Sequence, residues 1–190
     1  YWPPSGGSGV QRWMYFTKYL KQLGWEPIVI TVNEKQASYP VLDFELLEQV
    51  KDIQVIKTDT KEPLKIYSQI LTGSSNKGIP QGAISKKGWF SKMAAFIRGN
   101  FFIPDSRKGW NAFAKIEAEK LIRQQGIQKV ITTGPPHSTH LLGLKLKAKF
   151  GIQWWADFRD PWTDIFYNQD LYRTFWAKRI DARWEEKVLQ

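Results

Sequence analysis

Three short stretches carry the residue types that do chemistry. The first is Tyr1-Trp2-Pro3-Pro4-Ser5-Gly6-Gly7-Ser8-Gly9-Val10-Gln11-Arg12, a glycine-rich turn running into an apolar-periodic segment. Glycine lets the backbone approach a ligand closely and adopt positive φ. A helix start then offers unpaired N–H groups and a positive dipole end, which attract phosphate or carboxylate. The turn is thus a candidate for facing the diphosphate of a nucleotide-activated substrate, with Arg12 able to add a charge-assisted bond. A flexible chain start and a solvated Arg12 are the alternatives. No Lys-Ser/Thr pair follows Gly9, and Arg12 stands where a dinucleotide fingerprint needs its third glycine, so ATP hydrolysis and NAD binding are both disfavoured.

The second stretch, Gly134-Pro135-Pro136-His137-Ser138-Thr139-His140, holds the only two histidines. No nearby carboxylate or thiol completes a ligand set, so a zinc site is rejected. His137, after a double proline at a helix start, is the candidate for proton transfer or hydrogen bonding, and His140 falls a turn deeper. A structural role for His137 stays open. The third stretch, Asp157-Phe158-Arg159-Asp160-Pro161-Trp162, puts two carboxylates and an arginine at the end of an apolar run. Ionisable groups there are often functional, and an internal Arg–Asp pair fixing the loop is the alternative. Asp157 and Asp160 do not form an Asp-x-Asp metal pair. No metal and no cofactor are expected.

The elements that must position these residues follow from hydrophobic period. Val10, Trp13, Met14, Thr17 and Leu20 fit one helical face, and Gly24 stands past its end. β-Branched runs at 28–32 and 53–56, then 130–133 and 152–157, read as buried parallel strands. Helices are expected over 42–50, 89–102, 110–124 and 141–150, helical turns over 62–71, a loose insertion over 72–88, and a charged helix beyond Asp170. Helix-separated strands of this kind predict an α/β fold, a Rossmann-like open parallel sheet with helices on both faces. The Gly turn has almost nothing upstream where a strand normally precedes it, so the first strand is expected to be missing and the turn poorly held. The three unusual turns (3–9, 134–140 and 157–162) are all strand-to-helix connections. They should converge on the carboxyl edge of the sheet, where such folds bind ligands.

A chain of 190 residues fits one core, and 42% hydrophobic with 24% charged residues argues against wholesale disorder. The absence of cysteine excludes disulfides and fits a reducing, cytoplasmic setting. No apolar run is long enough to span a bilayer. The net charge of +10 is concentrated between Ser74 and Trp110, where seven basic residues face Asp105 alone. Such a field favours acidic partners. Trp89, Phe90, Met93, Phe96 and Ile97 can share one face with Lys92 and Arg98 off its centre, a candidate for lying in an anionic membrane interface. A helix packed on the core is the alternative.

Taken together, the Gly turn, Pro104-Asp105-x-Arg107-x-Gly109-Trp110, Thr133-Gly134-Pro135-Pro136-His137-Ser138 and Ala156-Asp157-Phe158-Arg159-Asp160-Pro161-Trp162 resemble the N-terminal domain of bacterial family 4 glycosyltransferases. These have the two-domain GT-B architecture. The resemblance implies a retaining, metal-independent enzyme that moves a sugar from a UDP- or GDP-linked donor to a saccharide or lipid-linked acceptor in surface-polysaccharide synthesis. It implies that Gly6, Gly7, Ser8 and Arg12 face the donor diphosphate. His137 would contact the transferring sugar or acceptor, and Asp157, Arg159 and Asp160 would lie on the acceptor side. Residues 1–172 would form the acceptor-side domain and 173–190 the start of an interdomain connection, the donor-binding domain being absent and the fragment alone inactive. The rival readings are a non-catalytic module binding a phosphorylated ligand or nucleic acid through its basic patch, and a sugar-nucleotide epimerase. Nucleic acid is disfavoured because the aromatics follow structural periodicity instead of forming a stacking platform.

Overall fold

Most of the apolar-periodic stretches form the element their period requires. The computed structural model describes residues 2–37, 41–61 and 89–190. In order they form α1 (Ser8–Gln22), β1 (Ile28–Val32), α2 (Glu45–Glu48), β2 (Gln54–Thr58), α3 (Trp89–Phe101), a 3-10 turn (Lys108–Trp110), α4 (Asn111–Gln125), β3 (Lys129–Gly134), α5 (Ser138–Phe150), β4 (Gln153–Phe158), a 3-10 segment (Phe166–Leu171) and α6 (Phe175–Leu189). Helices α4 and α5 close on Gly126 and Gly151, both left-handed at φ 66°, the conformation that glycine adopts without a Cβ penalty. The Thr174 side chain caps α6 by accepting from the Ala177 N–H at 3.3 Å. The expected helix over 42–50 shrinks to one turn. Leu42 is taken up in a β-bridge with Ser5, and the Asp43 carboxylate accepts the Glu45 N–H at 3.1 Å, which starts the helix late. The turns expected over 62–71 and the insertion over 72–88 lie outside the described residues.

The protein is α/β with parallel strands, but the expected single sheet is split. Among the described residues β1 pairs only with β2, in register Ile28 with Gln54 through Val32 with Thr58, and β3 only with β4, Lys129 with Gln153 through Gly134 with Phe158. Three apolar clusters hold the pairs to their helices. Ala114, Ala118 and Ile122 of α4 pack on Leu142 and Leu146 of α5. Trp2 and Met14 pack on Leu46, Val50 and Ile53 against β1 and β2. Leu141, Trp162 and Val188 join α5 and α6 to β4. Helix α6 therefore contributes Val188 to a core cluster and, as described below, a buried carboxylate beside the candidate site.

Candidate functional site

The three strand-to-helix turns meet, and one guanidinium joins them. Arg159, just past β4, donates from Nη1 to the Gly9 carbonyl at 2.8 Å, from Nε to the Gly134 carbonyl at 3.1 Å, and from Nη2 to the Pro135 carbonyl. Its own N–H also donates to Gly134 O at 3.1 Å. A planar fork with several donors suits this task, because carbonyls from separate loops can be bonded at once. The Gly turn is held from its other side as well. Gly6 N–H donates to Val41 O at 3.0 Å, Asp43 N–H to Pro4 O at 2.7 Å, and Ser5 is buried. The expectation of a poorly held turn is thus corrected: Arg159 and the 41–43 strand-like stretch supply the bonds that fix it.

Asp157 forms the second junction. Its Oδ2 accepts from Trp13 Nε1 at 2.6 Å and from the Thr133 hydroxyl at 2.8 Å, and its Oδ1 pairs with Arg12 at 2.9 Å. Asp157 pairs across to α1, and Arg159 bonds backbone. Arg12 is expected to face the donor diphosphate, and in the structure it pairs with Asp157. Its guanidinium is half-exposed and already engaged by a carboxylate, so its charge is partly neutralised before any anion arrives. Gly7 and Ser8, at the start of α1, are exposed, whereas the Gly6 N–H is consumed by Val41. Asp160 is exposed.

The histidines lie beneath these turns. His137 precedes the first residue of α5, is 7% exposed, and stacks on Trp162 with centroids 5.1 Å apart and planes 8° off parallel. Neither of its ring nitrogens makes a hydrogen bond of normal geometry, and the ring borders a small cavity of about 30 Å³ shared with Asp105, Asn168 and Asp181. A polar space of that size holds a water molecule. Burial lowers the His137 pKa below 6.5, with Asp105 and the Pro161 backbone pulling the other way. His140 is wholly buried, stacks on Phe158 at 4.6 Å, and lies 2.9 Å through Nδ1 from the Thr132 hydroxyl. Trp154 Nε1 donates to the same hydroxyl oxygen at 2.9 Å. With Trp154 donating to that oxygen, Thr132 can donate in turn to Nδ1, which puts the imidazole proton on Nε2, a buried atom without a hydrogen-bond partner. Burial and then His137 hold the His140 pKa down to about 4, so the ring is neutral at pH 7.

The N-terminus of α5 is already occupied by a carboxylate. Asp105 accepts from Ser138 N–H at 2.8 Å and the Ser138 hydroxyl at 2.9 Å, and its own loop is tightened by Arg107 N–H at 2.9 Å. A negative group there complements the helix dipole, whereas the α1 start has no side-chain cap and no acidic residue in its first turn. Set against known proteins, this chain matches no family model, no curated protein and no solved structure.

Sequence reading brings together the correct three turns but misses Trp13, Asp105 and Trp162 as parts of the site. Trp13 is read as a core-facing residue of α1 because its period fits one. Asp105 sits in a plain Pro-Asp-Ser-Arg turn, and only tertiary structure shows that it caps a helix 33 residues away. Among the described residues, no group of three or more His, Asp or Glu is gathered as a metal ion would require, and no helix is long and apolar enough to cross a membrane.

Gly134 has no room for a side chain. A Cβ there would lie 2.6 Å from His140 Nε2 and 2.8 Å from His137 Nδ1, inside contact distance of both rings. Gly134→Ala is expected to cost about 1–3 kcal/mol through this overpacking. Urea unfolding followed by tryptophan fluorescence checks it, and a stability unchanged from the parent would show that the two histidines can spread.

Proposed function

We propose that this chain forms the acceptor-side half of a retaining, metal-independent glycosyltransferase, one that transfers a sugar from a nucleotide-sugar donor to a saccharide or lipid-linked acceptor in bacterial surface-polysaccharide synthesis. The observation that carries the reading is the junction at Arg159, which binds the three motif-bearing turns into one unit. Ligands of open α/β folds bind beyond the carboxyl ends of the strands, where these turns lie. In this reading the exposed start of α1, at Gly7 and Ser8, faces the donor diphosphate, and Gly6 shapes the turn instead of donating to the ligand. Arg12 serves mainly to hold α1 against Asp157. His137, kept neutral by burial and with unpaired ring nitrogens, is the group available to hydrogen-bond the transferring sugar or the acceptor. Asp160 is the exposed carboxylate on the acceptor side.

The test is product analysis of the complete gene product with labelled UDP- and GDP-sugars and an extract of lipid-linked saccharides. The expected result is a glycosylated acceptor with the donor's anomeric configuration kept. Release of an isomerised sugar nucleotide would replace this reading with an epimerase. Salt-dependent oligonucleotide binding with no response to sugar nucleotides would replace it with a binding module. If transfer occurs, His137→Ala is expected to lower kcat/KM by roughly 10²–10⁴, with circular dichroism unchanged.

The membrane part of the proposal rests on how α3 packs. Its buried positions are the small ones, Ala95 and Gly99, against the 171–173 stretch, which leaves Trp89, Phe96 and Phe101 exposed beside Lys92. Aromatic side chains next to basic ones suit an anionic interface. Binding to phosphatidylglycerol vesicles at low salt is expected to weaken roughly tenfold in Trp89→Ser/Phe96→Ser. Equal binding by parent and variant, or none by either, removes the membrane from the reading.

A further inference from the structure

A sizeable cavity lies not at the turns but between the two strand pairs. It measures about 710 Å³, and all of Ile28–Val32 and the 129–133 stretch of β3 line it. One face is closed by Trp13, Thr17 and Leu20 of α1, the other by Ala118 of α4 and by Leu142 and Leu146 of α5. Among the described residues each of β1 and β3 is paired on one side only, so the other edge of each strand is the one left for the cavity. This is an unusual place for a void. Parallel strands are ordinarily buried on both faces and paired on both edges within a sheet, yet β1 is mostly half-buried and Ile131 of β3 is 43% exposed.

We infer that this slot takes one β-strand, inserted between β1 and β3, and that the strand belongs to the polypeptide that continues through Trp2. Size alone does not choose the occupant, since about 300–1,000 Å³ also describes small-ligand pockets. The backbone does. An apolar ligand would leave two rows of peptide groups without partners, and buried peptide groups require them. A strand supplies donors and acceptors to both edges at once, about 4.8 Å from each. Its direction follows from Trp2, which is 3% exposed and lines the slot. From Trp2 the chain enters the Gly turn, which Arg159 ties to the carboxyl edge of β3. A strand leading from the slot into that turn therefore runs parallel to β3. Its side chains alternate between α1 on one face and α4 with α5 on the other, and both walls are apolar. The fitting sequence is a near-continuous Val/Ile/Leu run of about five residues. With it in place, four separate strands become one five-stranded parallel sheet in the order β2, β1, inserted strand, β3, β4.

The experiment compares three proteins by amide hydrogen exchange. They are the 190-residue chain, the same chain preceded by the residues its gene encodes immediately ahead of Tyr1, and that longer chain with prolines at alternate positions of the added segment. The native extension is expected to slow exchange over 28–32 and 129–133 by roughly 100-fold, and the proline version to leave it fast. Equal exchange in all three proteins overturns the inference, as does a gene that encodes no apolar segment there. Slow exchange in the unextended chain that depends on protein concentration also overturns it, because a second copy would then be the occupant. Should the longer chains precipitate, the same segment is added as a free peptide to the unextended chain. Saturable change in the fluorescence of the tryptophans lining the slot is expected, and a linear or absent response overturns the proposal.

Discussion

Asp181→Ala is expected to destabilise the protein by about 3–5 kcal/mol, the largest loss from any single side chain in the site. Asp181 is 1% exposed, accepts from Trp162 Nε1 at 2.8 Å, and pairs with Arg173, whose side chain is almost as deeply buried. Removing the carboxylate leaves a guanidinium charge in the interior with only the Pro104 carbonyl, at 3.2 Å, as a described partner. It also frees the Trp162 N–H. Burial pushes the Asp181 carboxyl above its usual pKa even though Arg173 and Trp162 pull it down. Desolvation therefore outweighs the attraction, and the pair is not itself a source of net stability. The matching expectation is that Asp181→Leu with Arg173→Met recovers most of the loss. Urea unfolding of the three proteins decides it. A double variant as unstable as Asp181→Ala would mean that the pair contributes far more than its burial costs. The effect reaches the site because Trp162 stacks on His137.

Acidification from pH 7 to pH 4 is expected to remove about 3 kcal/mol of stability through His140. Its folded pKa is about 4 against 6.5 in the unfolded chain, at about 1.4 kcal/mol for each pKa unit. The sign follows from proton counting. Between the two values the unfolded chain binds the proton and the folded protein does not, so stability falls as pH falls through that window. Above pH 6.5 both states are neutral at this ring and the contribution is flat. His137 is lowered in the same direction and adds to the effect. Asp181, with its carboxyl raised above 3.8, works in the opposite sense, favouring the fold as pH drops. His140→Gln isolates the term by removing the titrating ring while keeping a polar group near Thr132. Its unfolding free energy should be much flatter than the parent's between pH 6.5 and 4. A variant with the parent's slope would assign the acid sensitivity to other groups.

The effect of these residues on function runs through geometry more than through direct contact. Arg159, Asp157 and Asp105 are all charged groups in motifs that read as ligand-binding, yet each spends its bonds on the protein. Arg159 bonds three carbonyls, Asp157 bonds α1 and β3, and Asp105 caps α5. What they leave exposed at the convergence is the start of α1 and Asp160.

The sequence by itself determined the elements. Periodicity placed β1 at 28–32 and set the other strands within two residues at either end, because β-branched and aromatic residues favour extended backbone. It placed the ends of α4 and α5 at Gly126 and Gly151, because a left-handed terminus selects glycine on local grounds. It also indicated that the three turns share an edge, since strand-to-helix connections of a parallel sheet all leave its carboxyl edge. Tertiary structure alone decided the partners. Nothing local tells Arg12 to pair with Asp157, 145 positions away, or Arg159 to bond the backbone carbonyls of the other two turns. Nothing local tells the Asp105 turn to cap α5. The split of the sheet was also a tertiary outcome. Strand propensity belongs to each segment, but edge pairing depends on which neighbour fills the space between β1 and β3.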